Sequence, residues 1–476
     1  MCDKLLKTNM KNLIASLKLR KSDLFLFIGF LAFVPFMIFA QSYMQIQNPD
    51  EVEFKIWFII PCFIISAVMW GYYIYDEFKL GNSPKLYISY TFIALAIVGV
   101  LSILIQPSTL VENVIVRVQN PDIFYYHPGY VAVVTLKMST IHYVFFSLNI
   151  LLTLVLIYIG LFILPKRFDN PSFLIYLGYG VLLFAGVLII AGYIMDFDKY
   201  ISMFQFLLGK DPDGNIYEYT VKSFIGHRNA CGMAMLLAMI FSYINHSFKN
   251  KWWYYLIAGF LFINTIFALA KTALVIEVLM TFVYVIFRLI ITYKSKPKRN
   301  KIIFIVLACL TVIAIGVLGI AYFTEGKFLG KIYEILNVYL TGATIDMRSH
   351  IWDNAYQLLR NGWWLIGRGY GYSHSMLYLM NGINGDPTVY THSGYINLLL
   401  ECGILYLLAY LALLTYYIII SYRCIKKDIK ISLPLVLGAL TFILYSFIES
   451  NHYLVYIFIF PMFVLDRYLS DERKTA

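Results

Sequence analysis

The sequence predicts an all-α polytopic membrane protein with about twelve transmembrane helices and both termini in the cytoplasm. Three observations carry this prediction: long apolar runs over most of the chain, basic residues gathered in alternate connections, and aromatic residues at the ends of the runs. The 476 residues are 60% hydrophobic and 14% charged, with a mean hydropathy of +0.72. A soluble domain of that composition would have too little polar surface to cover itself. The net charge of +11 does not indicate nucleic acid, because the lysines and arginines fall in short loops where they set topology. Trp252-Trp253-Tyr254-Tyr255 illustrates the aromatic anchors that favour the membrane–water interface.

The elements follow in order. Lys4, Lys7, Lys11, Lys18, Arg20 and Lys21 precede an apolar run from Leu24 to about Met44, too long for a signal-peptide core, so it is a retained first helix. The spans expected are roughly 24–44, 54–75, 86–106, 141–164, 172–195, 230–248, 252–269, 272–292, 302–323, 393–420, 431–449 and a marginal 453–466. Lys166-Arg167, Lys249 with Lys251, the run Lys294 to Lys301, and Arg423 to Lys430 all fall on the side of the basic N-terminus. Segments 107–140, 196–229 and 324–392 therefore face outward. This divides the chain into residues 1–220, holding the first five helices and their outer loops, a core at 221–466 that includes the outer loop 324–392, and a cytoplasmic tail at 467–476. The six cysteines form no CxxC pair, which argues against a zinc site or a disulfide framework.

The charges inside the apolar runs are one-sided. Arg228, Lys271, Glu277, His392, Glu401 and Glu449 all fall near the outer face, although a charge in hydrocarbon costs at least about 3 kcal/mol. They suit a charge-lined cavity beneath the outer surface. Within the longest outer loop, Ile351, Trp352, Ala355, Leu358 and Leu359 recur at helical spacing, predicting an amphipathic helix over 344–361 started by Asp346. Arg348 would sit in its first turn, where the helix dipole disfavours a cation, so helix formation does not explain it; a solvated loop arginine is the bland alternative. Gly367-Arg368-Gly369-Tyr370-Gly371 is flexible enough to bring backbone amides to a ligand, but it lacks the strand and the Lys-Ser/Thr of a phosphate loop.

His392 closes the outer loop and opens the tenth span, with Glu401 roughly 13 Å deeper at helical rise. A histidine there can serve as a general base near neutral pH, or simply rest among headgroups. Seven of the eight histidines fall on the outer side, so location alone does not single it out. Arg228 and Lys271 begin spans, where either can snorkel to headgroups. Glu277, roughly 9 Å beyond Lys271, is expected to form a structural ion pair with it.

The order of these pieces resembles the superfamily of O-antigen ligases and polysaccharide polymerases of bacterial envelopes. The resemblance covers about residues 220–450 and rests on Gly226-His227-Arg228-Asn229-Ala230-Cys231-Gly232, Ala270-Lys271-Thr272-Ala273, Arg348-Ser349-His350-Ile351-Trp352, Gly367 to Gly371, His392-Ser393-Gly394-Tyr395-Ile396-Asn397 and Glu401-Cys402-Gly403. Each motif is weak alone; their order and shared outward placement are more specific. The resemblance implies a GT-C-like, metal-independent glycosyltransferase without cofactor, whose partners are an undecaprenyl-diphosphate-linked glycan donor and its acceptor in the lipid of a bacterial cytoplasmic membrane. A chain-length regulator and a flippase are further candidate partners. By the same resemblance His392 activates the acceptor hydroxyl, while Arg228, Arg348 and Lys271 hold the diphosphate. His227, Glu277, Arg368, Glu401 and Glu449 are candidates to line the cavity. The chain departs from the family where it has Ser393 for an asparagine and Ala270-Lys271 for Ser-Arg, and a lysine supplies a point charge rather than a bidentate fork.

Polymerase and ligase share this scaffold. A composition rich in Ile, Lys, Tyr and Asn suits a low-GC bacterium without a lipid A core to accept a finished glycan, which favours the polymerase, of capsule, exopolysaccharide or O-antigen. A flippase is the rival from another class. It would be expected to carry polar groups at the midplane and matching internal repeats, and neither is evident.

Overall fold

The computed structural model describes residues 20–33 apart from 21 and 27, 49–81, strand segments between 109 and 137, 172–208, 216–223, 228–293, 349–367, 391–449 and 456–475, with a few isolated positions between them. The expected spans 86–106, 141–164 and 302–323 lie almost wholly outside the described residues. The chain divides into two compact units, one made of Met1–Gly180 with Arg348–Ala476 and the other of Val181–Met347.

Within the described residues, helices occupy the long apolar runs. They are α1 (Ser22–Phe33), α2 (Pro49–Lys79), α3 (Ser172–Met195), α4 (Phe197–Leu207), α5 (Arg228–Lys249), α6 (Trp253–Ala268), α7 (Lys271–Tyr293), α8 (Ser349–Leu358), α9 (Gly394–Lys427), α10 (Ile429–Ile448) and α11 (Tyr456–Thr475). Four of these helices, α3 from Leu174, α5, α9 and α10, are long and apolar enough to cross a membrane. The expected spans at 172–195, 230–248, 272–292 and 431–449 agree with their helices to within two residues. Helix α11 runs unbroken from Tyr456 through Thr475, across the boundary expected between 466 and 467.

The all-helical expectation does not extend to the described residues between 109 and 137. There β1 (Thr109–Ile115) pairs antiparallel with β4 (Val131–Lys137), Thr109 opposite Lys137 and Ile115 opposite Val131. A shorter pair, β2 (Val118–Gln119) with β3 (Tyr126–His127), is nested between them. The β-branched residues of the two longer strands favour extended backbone, and this preference prevails outside the apolar runs.

In the larger unit α9, α10 and α11 pack on one another, and α8 with the turn after it packs on α9. Helix α9 is not straight. Gly403 adopts φ 76° inside it, a left-handed value that glycine accepts without a Cβ clash. The α9–α10 corner is one residue wide: the carboxylate of Asp428 accepts the amides of Lys430 and Ile431 at 2.8 and 3.3 Å, capping α10. Lys427 Nζ donates to Asp466 Oδ1 at 3.0 Å and to Ser470 Oγ at 2.6 Å, fastening the end of α9 to α11. Elsewhere in this unit the rings of Phe30 and Phe33 flank the fully buried Trp70, binding α1 to α2.

In the smaller unit α5 is central, with every residue from Ala230 to His246 buried against α6, α7 and their surroundings. Tyr243 OH shares a hydrogen bond with Thr281 Oγ1 at 3.0 Å and Tyr284 OH one with His246 Nδ1 at 3.0 Å, locking α5 to α7.

Candidate functional site

The larger unit brings the later motifs together around the first half of α9. His392, at the entrance to that helix, has φ 51°, a left-handed conformation that a side chain with a Cβ adopts only when its surroundings impose it. The imposing contacts are on both sides of it. The Thr391 hydroxyl lies 2.8 Å from the Ser393 carbonyl and 2.7 Å from Asn397 Oδ1, while the Thr391 amide donates to the same Oδ1 at 3.3 Å. The Ser393 amide donates back to Thr391 Oγ1 at 3.2 Å. From α8, Trp352 Nε1 donates to the Thr391 carbonyl at 2.6 Å. Thr391, Ser393 and Asn397 are all buried, so these bonds are shielded from competing water.

The imidazole itself is partly exposed and meets a carboxylate. His392 Nδ1 lies 3.4 Å from Glu449 Oε2, and Glu449 is only 3% exposed at the C-terminal end of α10. Tyr395 OH donates to the Ile443 carbonyl at 3.0 Å, tying α9 to α10 just inside this pair. A carboxylate beside Nδ1 favours the tautomer that carries its proton on that nitrogen and so orients the ring. Sequence reasoning placed Glu449 only as a residue lining the cavity; its pairing with a histidine 57 positions earlier leaves no periodic trace. Asn397, four residues past the N-cap Ser393, takes its role from the Thr391 contacts, which residue type alone does not signal.

Glu401 is buried about two turns inside α9, next to the Gly403 kink. The expected amphipathic helix is present as α8, with Ile351, Ala355 and Leu358 buried, and a wide turn at Leu359–Trp363 ends it. The chain then docks backbone to backbone on α9. The Ile404 amide donates to the Trp364 carbonyl at 2.8 Å. A Cβ on Gly367, at φ 67°, would collide with the Glu401 carbonyl, and one on Gly403 would collide with the Leu365 carbonyl. Gly367 and Gly403 are thus required by close approach of two backbones rather than by a phosphate. Arg348, Arg368 and His227 lie outside the described residues.

The smaller unit holds the earlier motifs. Arg228 opens α5 and Lys271 opens α7 after a corner at Leu269, whose φ is 50°. A Cβ on Gly232 would collide with the Ala270 side chain and lie 3.3 Å from that of Ala273, so the glycine lets the first turn of α5 reach the Ala270–Ala273 corner. Lys271 is buried. Glu277 is fully buried, and its partner is Thr265, whose Oγ1 donates to Glu277 Oε1 at 2.8 Å; this replaces the expected ion pair with Lys271.

A further carboxylate, not singled out from the sequence, holds the backbone at Lys222 and Ser223. Asp196 accepts the Ser223 and Lys222 amides at 2.8 and 3.0 Å and the Lys199 ammonium at 2.6 Å. Burial alone would push its carboxyl up, but Lys199 and the two amides outweigh that and hold it below the usual carboxylate range. Ser223, at φ 52°, also donates to the Leu188 carbonyl at 2.8 Å.

No family model matches the chain, and no curated protein matches it.

Proposed function

We propose that this protein is a multi-pass glycosyltransferase of a bacterial cytoplasmic membrane, a polysaccharide polymerase that adds undecaprenyl-diphosphate-linked repeat units to a growing glycan at the outer face. The observation that carries the reading is His392: a strained, over-determined turn presents an imidazole already oriented by a buried carboxylate. Strain of about 1–3 kcal/mol is retained at such a residue only when the surrounding bonds impose it, and this cost is typical of sites that perform chemistry.

In this reading His392 Nε2 takes the proton of the acceptor hydroxyl, whose oxygen forms the new glycosidic bond as the sugar–phosphate bond breaks. The imidazolium that results is stabilised by Glu449, and the bond pair leaves with the lipid diphosphate. The diphosphate-binding roles of Arg228, Arg348 and Lys271 rest on the resemblance, as do the about twelve spans with both termini inside. Arginine forks neutralise developing phosphate charge without a divalent ion, so activity is expected to persist in chelator.

The test is elongation of lipid-linked repeats by purified protein. His392→Gln should lose about 10²–10⁴-fold of the rate, since glutamine hydrogen-bonds but carries no proton. A wild-type rate in a well-folded His392→Gln protein would remove the base. Sizing the polysaccharide of a gene deletion separates the neighbouring readings: single repeat units for a lost polymerase, long lipid-linked chains for a lost ligase, and units trapped inside for a lost flippase.

A further inference from the structure

Helix α4 has three faces, and only two are accounted for by the protein. Tyr200, Met203 and Phe206 are buried, the last two against Leu269 in a small apolar cluster, and Tyr200 OH donates to Asn264 Oδ1 at 3.1 Å. Asp198, Ser202 and Gln205 form a polar edge. Between these lies a third stripe of large apolar side chains, Phe197, Ile201, Phe204 and Leu208, which are 41–68% exposed.

This stripe continues one that begins on α3. Leu183, Val187, Ile190 and Ile194 are exposed along that helix, and the alternating three- and four-residue spacing passes through the break at Asp196 without a slip. On α3, a helix apolar enough to cross a membrane, such a stripe meets acyl chains. Drawn as one straight helix, Leu183 to Leu208 would span about 38 Å, more than the roughly 30 Å of a bilayer's hydrocarbon, but the chain leaves helical geometry at Asp196. Helix α4 also carries Asp198, Lys199 and Gln205, which full immersion would strand.

We propose that α4 is a membrane-surface helix, seated at the headgroup boundary with Phe197, Ile201, Phe204 and Leu208 among the acyl chains of the bilayer and its polar edge in water. A core face, an apolar face and a polar edge on one short helix are the layout of an interfacial helix that is also docked on a bundle. Because Asp196 precedes α4 and grips the amides of Lys222 and Ser223, the lipid surface then fixes the depth of those two residues as well.

The full chain in phosphatidylcholine nanodiscs, with a spin-labelled cysteine at each position from 197 to 208 in turn and the unsubstituted chain as background, tests this. The ratio of oxygen to nickel-chelate accessibility should oscillate with a period of about 3.6 residues, high at 201 and 204 and low at 198 and 205, with 203 closed to both reagents. The depth read at 201 should be about 5–10 Å below the headgroups. Nickel access at 201 and 204 equal to that at 198 would put the helix in water and overturn the proposal. Labels at 201 and 204 closed to both reagents would also overturn it, spin–spin broadening then marking a second copy as the cover and its absence marking another part of the chain. The outcomes turn on positions 198, 201, 204 and 205, which are all exposed, so those labels leave the buried face of Tyr200, Met203 and Phe206 intact.

Discussion

Adding one methyl group at Gly367 should weaken the larger unit more than almost any other glycine substitution. Gly367 needs a left-handed backbone, which an L-residue adopts at about 1–2 kcal/mol. Its Cβ would also run into the Glu401 carbonyl and the Cys402 amide, main-chain atoms that cannot swing aside as a side chain can. Overpacking of that kind adds about 1–3 kcal/mol, so Gly367→Ala should lose roughly 2–5 kcal/mol. Gly403→Ala meets Leu365 and Ile366 from the other side of the same contact and should lose a similar amount. The double substitution should cost well under the sum, because a segment that has already separated meets the second methyl in open space. Two controls isolate the terms: Gly81 has φ 75° with nothing near its would-be Cβ, and Gly186 has nothing near and lies in mid-helix. Gly81→Ala should therefore show the backbone term alone, and Gly186→Ala should be neutral or stabilising by about 0.5–1 kcal/mol. Apparent unfolding free energies in mixed micelles, followed by far-UV circular dichroism, measure all five. A Gly367→Ala loss no greater than that of Gly81→Ala would show that the two backbones are not in contact.

The remaining predictions concern the smaller unit. Asp196 is held below the usual carboxylate range in the fold, so its contribution is complete above the unfolded value and lost as pH falls through the folded one. Stability measured between about pH 6 and pH 3 should fall less steeply in Asp196→Asn than in the wild type, and equal slopes would exclude this carboxylate as a contributor. Thr265→Val keeps the shape but removes the donor to Glu277, and should cost about 1–3 kcal/mol. If Thr265→Val and Glu277→Met, each of which removes one partner, add without coupling when combined in unfolding experiments, the hydrogen bond contributes nothing.

The helices at 172–195, 230–248 and 431–449 were legible because each is a long apolar run whose limits are set by charge and by Pro, Gly or Asp, signals that are local to the chain. The same reasoning could not find α4, whose eleven residues mix phenylalanines with Asp198 and Lys199 and have only a three-sided pattern. It also missed the strands at 109–137, which it left as a connecting segment between two spans, because pairing of the two longer strands depends on partners more than ten residues apart. For the candidate site, His392, Glu401 and the glycine motifs could be picked out by residue type and order. The partners that give them meaning could not, because the contacts of Glu449 with His392, Trp352 with Thr391 and Gly367 with Glu401 each join residues more than thirty positions apart. Glu277 shows the reverse error: a lysine six residues away suggested an ion pair, whereas the carboxylate turns to a threonine on the preceding helix.

The separation between His392 and Glu449 also sets an order of events at the ribosome. The bonds that force the histidine into its left-handed turn come from residues no more than six positions away and from Trp352, which emerges earlier. Its carboxylate, by contrast, is 57 residues further along, or about 3–11 s of synthesis at 5–20 residues per second. During nascent insertion the imidazole is therefore shaped before it is paired, and the dyad closes only when α10 has entered beside α9.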